Sequence, residues 1–502
     1  MVSGTRNMHI CFLLDHILLQ HQPLGVCYIA ALLKRHGHKV SALNVDAVPD
    51  PIQAVRTISP DIVAYSTSSS SAARYQEINR VLRDAIPGLL SLFGGPHPSF
   101  FPQMIDEDPC IDAICIGEGE YAVLELCDRL QKRENISDIP SLYVRTPEGI
   151  RKNPIRPFLT PEQMDNLPFP EREVVDGMGT FHGQTAFVIT GRGCPFDCSY
   201  CFNHVSRNLQ EGKWVRRRSV ENVLEEIRWL KERYGVVYVA FQDDTFILNR
   251  NWLQEFCPKY AREIGLPFIC NVRADLTDEE LVDLLAEAGC IRVATGIENG
   301  DDNIRRNILA KNVTSEQYRH ACDLFNSRKI RIVGQNMIGV PGETVESALS
   351  TIELNIRCRC HIAIYSFFAP FPGTKLGEMA KEYGFTGDMR EIPREFQDGL
   401  APSMRLERKE LIELIGHCAH LFTSYPALFY LSRALLRVLP GDTLRASYLR
   451  LMLRLSDWMI QRNGGRLPTH WHQPRFIDRL IRRTLRNCPK LSNDLHAISP
   501  KN

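Results

Sequence analysis

Short runs that are apolar on both faces alternate with helical stretches along most of this chain, and no other feature restricts its fold as strongly. Residues 10–14, 39–45, 62–66, 90–93 and 114–116 read as strands, with helical spacing between them at 24–36, 51–57, 72–85, 100–107 and 121–131. A strand with two apolar faces needs cover on both, which a parallel sheet between two helical layers supplies. Residues 1–135 are therefore expected to form a doubly wound, Rossmann-like domain. Residues 136–182 carry Pro140, Pro154, Pro157, Pro161, Pro168 and Pro170 and read as a linker with a small hairpin. The alternation resumes with strands at 186–190, 236–241, 267–272, 291–296, 331–338 and 362–367. About six such units over 183–395 predict a partial TIM-type β/α barrel, whose chemistry gathers at the carboxyl ends of its strands. Beyond about residue 395 only helices are read, at 406–425, 428–439 and 443–461, so 396–502 is expected to be a helical, basic cap.

Composition excludes several classes. The chain has 502 residues, 44% hydrophobic and 24% charged, which suits a globular protein rather than a disordered or coiled-coil one. A formal net charge of +1 gives no overall attraction to nucleic acid. No apolar stretch reaches the roughly 18 residues of a spanning helix. The run at 9–14 is too short for a secretory signal and ends in Asp15 and His16. Most of the 16 cysteines lie singly in apolar runs, as Cys11, Cys27, Cys115, Cys270 and Cys290 do. That is the pattern of buried thiols in a reducing compartment, so a cytoplasmic location is expected.

One cluster breaks the scatter. Thr190-Gly191-Arg192-Gly193-Cys194-Pro195-Phe196-Asp197-Cys198-Ser199-Tyr200-Cys201-Phe202-Asn203 follows the strand at 186–190 and so begins the carboxyl face of the barrel. Its Cys-x3-Cys-x2-Cys spacing offers three soft thiolates, enough to bind three irons of a cubane and leave the fourth open. Gly191 and Gly193 let the backbone turn tightly there. A zinc site is the alternative, with His204 as a fourth ligand, but zinc draws on paired motifs and no second Cys-x2-Cys is present.

This segment resembles the signature of the radical S-adenosylmethionine superfamily, with Tyr200 and Phe202 as aromatics flanking the last cysteine. The resemblance implies that Cys194, Cys198 and Cys201 hold a 4Fe–4S cluster whose open iron chelates S-adenosylmethionine. It implies reductive cleavage to methionine and a 5′-deoxyadenosyl radical, and hence an electron donor such as flavodoxin or ferredoxin. It also places Tyr200 and Phe202 on the cofactor side. Asp243 and Asp244 match the family's polar contact to the methionine amino group, Arg273 a contact to its carboxylate, and Glu298 a contact to a ribose hydroxyl. Residues 337–344 match the adenine side. Each of these is also an ordinary helix cap by position.

In the first domain, Ser66-Thr67-Ser68, Gly94-Gly95 and Gly117-Glu118-Gly119 each follow an expected strand. Glycines there allow close approach of a flat ligand, and open parallel sheets bind ligands at these ends. Residues 8–130 resemble the cobalamin-binding domain fused to many radical enzymes. That resemblance implies that Ser66, Ser68, Gly94, Gly95, Gly117 and Gly119 line a cobalamin site. The family's Asp-x-His-x-x-Gly motif is absent, because Asp15 and His16 are adjacent. Cobalt is therefore expected to have no histidine ligand, with His16, His21 and His97 as the residues to test. The alternative is a sheet that has lost its cofactor and only braces the barrel or binds substrate.

From Arg433 onward, basic residues greatly outnumber acids and are interleaved with leucines and aromatics. Such a segment is either a lid on the barrel with a solvated basic face or an element on an anionic membrane surface. No nucleic-acid module is visible. The resemblance implies methyl transfer from methylcobalamin to an unactivated carbon, or to a phosphinate phosphorus, of a small-molecule or lipid-linked substrate. The rival enzyme reading is a radical cyclisation or rearrangement with the same cofactors. A methylthiotransferase is disfavoured, since Cys11, Cys27, Cys110, Cys115 and Cys127 are not grouped at loop ends. A non-enzymatic cobalamin sensor or carrier is the third reading, against which the cysteine triplet stands.

Overall fold

The computed structural model describes residues 6–20, 22–175, 185–371, 373–388, 391–392 and 398–462. His21, residues 176–182 of the expected linker and residues 463–502 of the basic region lie outside them. The chain divides into two compact units interleaved in sequence. One comprises 1–196, 202–246 and 259–267; the other comprises 197–201, 247–258 and 268–502.

The first unit holds a seven-stranded sheet. Its strands are β1 (His9–Leu14), β2 (Lys39–Asn44), β3 (Ile62–Ser66), β4 (Leu90–Gly94), β5 (Ala113–Cys115), β6 (Leu142–Thr146) and β7 (Gly149–Lys152), in the order β2-β1-β3-β4-β5-β6-β7. The first five are parallel. Their two apolar faces build two separate cores. Ile10, Phe12, Ala64 and Leu92 face one, while Cys11, Leu13, Val63 and Phe93 face the other. The hairpin expected in the linker forms as β6–β7, and it extends the sheet antiparallel from β5. Residues 100–107 form parts of two short helices, Pro96–Phe100 and Met104–Glu107, rather than one. Pro102 lacks an N–H and bars its predecessor from helical geometry, and Phe101 accordingly sits at φ −129°.

The same unit contains β8 (Thr185–Val188) paired parallel with β11 (Tyr238–Phe241), and the short antiparallel ladder of β9 (Gly191–Arg192) with β10 (Arg216–Arg217). The second unit holds β12 (Phe268–Val272), β13 (Cys290–Glu298), β14 (Arg331–Ile338) and β15 (Ile362–Phe367), all parallel. All six of the long strands after residue 183 lie within two residues of their expected bounds. Helices Glu279–Glu287, Ser315–Ser327 and Val345–Arg357 separate the strands of this unit, each opened by a side-chain cap from Asp278, Thr314 or Thr344. The fold is thus a Rossmann-like domain, a partial β/α barrel of six units and a helical C-terminal region, as expected.

Helices Lys409–Ser424, Pro426–Val438 and Asp442–Arg462 close the described chain. Ile412, Ile415, Cys418 and Phe422 share one core with Ile338 and Phe367. Tyr365 Oη lies 2.6 Å from Thr423 Oγ1, and a Cβ on Gly416 would stand 2.7 Å from Phe367 Cε1. The described cap therefore packs against barrel strands as a lid does. The outward face of its last helix exposes Leu444, Leu451 and Trp458 at seven-residue spacing. Among the described residues no helix is long and apolar enough to cross a membrane.

Candidate functional site

A cleft opens in the first unit at the carboxyl ends of its parallel strands, where a strand order of 2-1-3-4-5 reverses direction. Phe12, Ala64 and Leu92 line its apolar part. Ser66, Gly94, Gly95, Gly117 and Gly119, expected as site residues, are all brought together on its wall. Ser68 is not on that wall; its hydroxyl lies 3.1 Å from Ser70 Oγ and 3.0 Å from Ser71 Oγ. Gly95 and Gly117 sit at φ +94° and +76°, and a Cβ on Gly95 would be 2.9 Å from Thr67 N. Burial pushes the Cys115 thiol up to about 12, so this wall residue stays neutral. No histidine lines the cleft among the described residues. His16 is exposed and bonded to Asp46 at 2.9 Å. His97 is buried against Ser69 Oγ at 3.1 Å and pushed down to about 4 by that burial. From the 15–25 segment the wall takes Leu18, Pro23 and Gly25.

In the same unit the start of the cysteine loop is tied down by Asp243. One of its oxygens accepts from Thr190 N at 2.6 Å and Gly191 N at 3.2 Å, and the other from the Thr190 hydroxyl. Arg217 Nη2 stands 3.5 Å away. Gly193 has φ +88°, and a Cβ there would be 2.9 Å from Trp214 Cε2. Trp214 Nε1 donates to Cys194 O at 3.0 Å, and Cys194 Sγ is 3.9 Å from Thr245 Oγ1. Phe202 stacks on Phe100 with centroids 4.3 Å apart. Asp244 is exposed and accepts from Asn203 Nδ2 at 3.2 Å.

The second unit carries the rest of the loop. Cys198 is buried, and Arg273 Nη1 lies 3.8 Å from its sulfur. Arg273 Nε is 2.8 Å from Asp275. Ser199 bonds Leu309 O through its N–H (3.0 Å) and Ile308 O through its hydroxyl (2.6 Å). Tyr200 Oη donates to Glu298 Oε1 at 2.8 Å, and Lys311 Nζ reaches the same oxygen at 2.9 Å. Glu298 holds a left-handed φ of +66° at a β-bulge, a strained position for a non-glycine residue. Burial opposes the charge on Lys311, but the groups around it, Glu298 foremost, together outweigh that and keep Lys311 above the ordinary lysine range.

Glu343, in the segment 337–344, accepts from Asn299 Nδ2 at 2.6 Å and from Gly339 N. Burial pushes it up to about 7 from an ordinary 4.5. A raised folded-state pKa contributes stability that is complete below about 4.5 and lost as pH rises through 7. The wild-type melting midpoint, measured against Glu343→Gln, is thus expected to fall as pH rises from 5 to 8. A pH-independent difference would contradict this.

None of the described cysteines is in a disulfide, and among the described residues no group of three or more His, Cys, Asp and Glu side chains is gathered as for a metal ion. The fit of a cluster to Cys194, Cys198 and Cys201 rests on donor chemistry: three thiols in one loop, none in a disulfide and one beside a guanidinium. Sequence reading passed over Lys311, Trp214, Glu118, Glu120 and Arg192. Only Glu118 and Arg192 left a trace, each a charge set between two glycines.

Comparison with known proteins agrees with this geometry. The model of the radical SAM superfamily matches residues 188–354, and that of the B12 binding domain matches 10–127. An uncharacterized methyltransferase of Pyrococcus horikoshii is 30% identical over 366 residues, 71% of this chain and 78% of the relative. An anaerobic magnesium-protoporphyrin IX monomethyl ester cyclase of Rubrivivax gelatinosus is 26% identical over 72% of this chain and 68% of its own. The radical S-adenosylmethionine methyltransferase TsrM of Kitasatospora setae, solved with cobalamin and a [4Fe-4S] cluster bound, shares the fold at a TM-score of 0.62 and 18% identity, covering 76% of each chain.

Proposed function

The chain belongs to the radical SAM superfamily and carries a B12-binding domain, and on that premise we propose that it is a cobalamin-dependent radical S-adenosylmethionine methyltransferase. The bound cluster would supply the electron that splits S-adenosylmethionine into methionine and a 5′-deoxyadenosyl radical, and cobalamin would carry the methyl group. Cys194, Cys198 and Cys201 would be its ligands, with the Arg273 guanidinium beside the Cys198 sulfur. Asp243 fixes the loop's entry, which leaves the exposed Asp244 for the methionine amino group. Glu298, oriented by Lys311 and Tyr200, presents a carboxylate for a ribose hydroxyl. Ser66, Gly94, Gly95, Gly117 and Gly119 cradle the corrinoid tail. The substrate is a small molecule with an unactivated carbon, and the reductant a flavodoxin- or ferredoxin-like protein of the cytoplasm.

The observation that carries this reading is a glycine-walled apolar cleft in the same chain as a Cys-x3-Cys-x2-Cys loop. The test is incubation of reconstituted, cobalamin-loaded protein with methyl-labelled S-adenosylmethionine and a reductant. Release of S-adenosylhomocysteine with label on the corrinoid supports methyl transfer. The cyclase relative favours a second reading, which gives 5′-deoxyadenosine with no S-adenosylhomocysteine.

Because no histidine among the described residues lines the cleft, bound Co(II) is expected to show no nitrogen superhyperfine splitting. A splitting that vanishes in His16→Ala or His97→Ala would overturn that expectation. The packed cap is expected to leave the protein in the supernatant when sedimented with neutral or anionic vesicles. Each basic residue near an anionic surface contributes about 1 kcal/mol. Salt-sensitive binding to anionic vesicles alone would instead assign Leu451, Trp458, Arg450 and Arg454 to a membrane surface and point to a lipid-linked substrate.

A further inference from the structure

The loop 117–120 contributes more than glycines to the cleft. Glu118 Oε1 is 2.7 Å from Arg192 Nη1, and Glu120 Oε1 is 2.6 Å from Arg192 Nη2. The second Glu118 oxygen accepts from Arg216 Nη1 at 3.0 Å and Leu159 N at 2.8 Å. Glu120 and Arg216 are each 4% exposed. Glu118, Glu120 and Arg192 all line the cleft, and the Arg192 guanidinium lies 5.7 Å from the ring centroid of Tyr28, another wall residue. Arg192 also stands two residues before Cys194 and pairs with Arg216 across the β9–β10 ladder. Arg216 Nε donates to Trp214 O at 3.1 Å, and the Trp214 indole holds the Cys194 carbonyl.

A planar guanidinium that spans two separate carboxylates fixes both distance and orientation, which a lysine ammonium cannot do. From this geometry we infer that Glu118, Glu120, Arg192 and Arg216 form a positioning clamp that couples occupancy of the cleft to the conformation of the segment carrying Cys194. The inference rests on the cleft being a cobalamin site. None of the four residues needs to touch iron. Their effect is a coupling free energy, so the cluster must change cobalamin affinity by the same factor as cobalamin changes cluster affinity.

The test titrates hydroxocobalamin by absorbance into full-length protein, iron-free and anaerobically reconstituted. Wild-type protein is expected to bind at least about fivefold more tightly when reconstituted, the lower end of ordinary coupling. The EPR signal of its reduced cluster should shift on cobalamin addition. In Arg192→Lys, which keeps the charge and loses the fork, the affinity ratio should fall to one and the EPR shift should vanish. Glu120→Gln keeps side-chain size and the Glu118 bonds, and should give the same result where Arg192→Lys fails to fold. Equal affinities in wild-type protein, or an unchanged ratio in the variants, would overturn the clamp and leave the cobalamin reading intact. No binding in either wild-type form would overturn the cobalamin reading, and the clamp with it.

Discussion

Replacing Cys194, Cys198 and Cys201 together by alanine is expected to reduce bound iron from about four per chain to none and to abolish 5′-deoxyadenosine formation. The effect should be all-or-none, because among the described residues no group of three metal-ligating side chains is gathered that could substitute for the loop's three thiols. Folding should survive. Cys194 and Cys201 are only partly buried, and the loop is anchored through backbone groups and neighbours: Thr190 and Gly191 on Asp243, Cys194 O on Trp214, and Ser199 on Leu309. Iron analysis and circular dichroism on the same preparation separate cluster loss from unfolding. Continued 5′-deoxyadenosine production by the triple variant would remove the cysteines from their assigned role.

The largest effect on stability is expected at Glu226. Its two oxygens meet Arg172 Nη2 at 2.8 Å and Arg218 Nη1 at 2.5 Å, and all three side chains are buried. Arg218 Nη1 also donates to Tyr28 Oη at 3.2 Å, so the triad supports a residue of the cleft wall. One carboxylate thus neutralises two guanidiniums out of water. Glu226→Gln leaves both unpaired, and breaking such a buried pair costs about 3–5 kcal/mol. Glu232→Gln, exposed on the helix Val220–Tyr234 that also carries Glu226, is the control and should be near neutral. Urea midpoints followed by circular dichroism check the comparison. A Glu226→Gln midpoint equal to that of Glu232→Gln would show that the triad contributes nothing net.

The sheet strands were legible because parallel strands between helices carry apolar residues on both faces, and that signal is local. The helix expected at 100–107 broke where Pro102 interrupts it, a residue visible in the sequence but outweighed by the apolar spacing around it. Hairpin β6–β7 was legible as a hairpin; its membership of the first sheet was not, since edge pairing with β5 leaves no periodic mark. Glycines at strand ends pointed to the cleft because a positive φ and close backbone packing demand them, as at Gly95 and Gly117. Ser68 carried the same positional signal, yet its hydroxyl is taken up by Ser70 and Ser71. Lys311 and the Glu118–Arg192 pair were not legible as pairs. Their partners stand 13 and 74 residues away with no periodic spacing to link them, and only the folded chain brings the charges together.

This chain performs radical chemistry on S-adenosylmethionine. The most direct test is mass analysis of wild-type protein, anaerobically reconstituted, reduced with dithionite and incubated with S-adenosylmethionine. The expected products are 5′-deoxyadenosine and methionine, from a protein carrying about four irons. A protein that holds those irons and leaves S-adenosylmethionine intact would contradict that assignment.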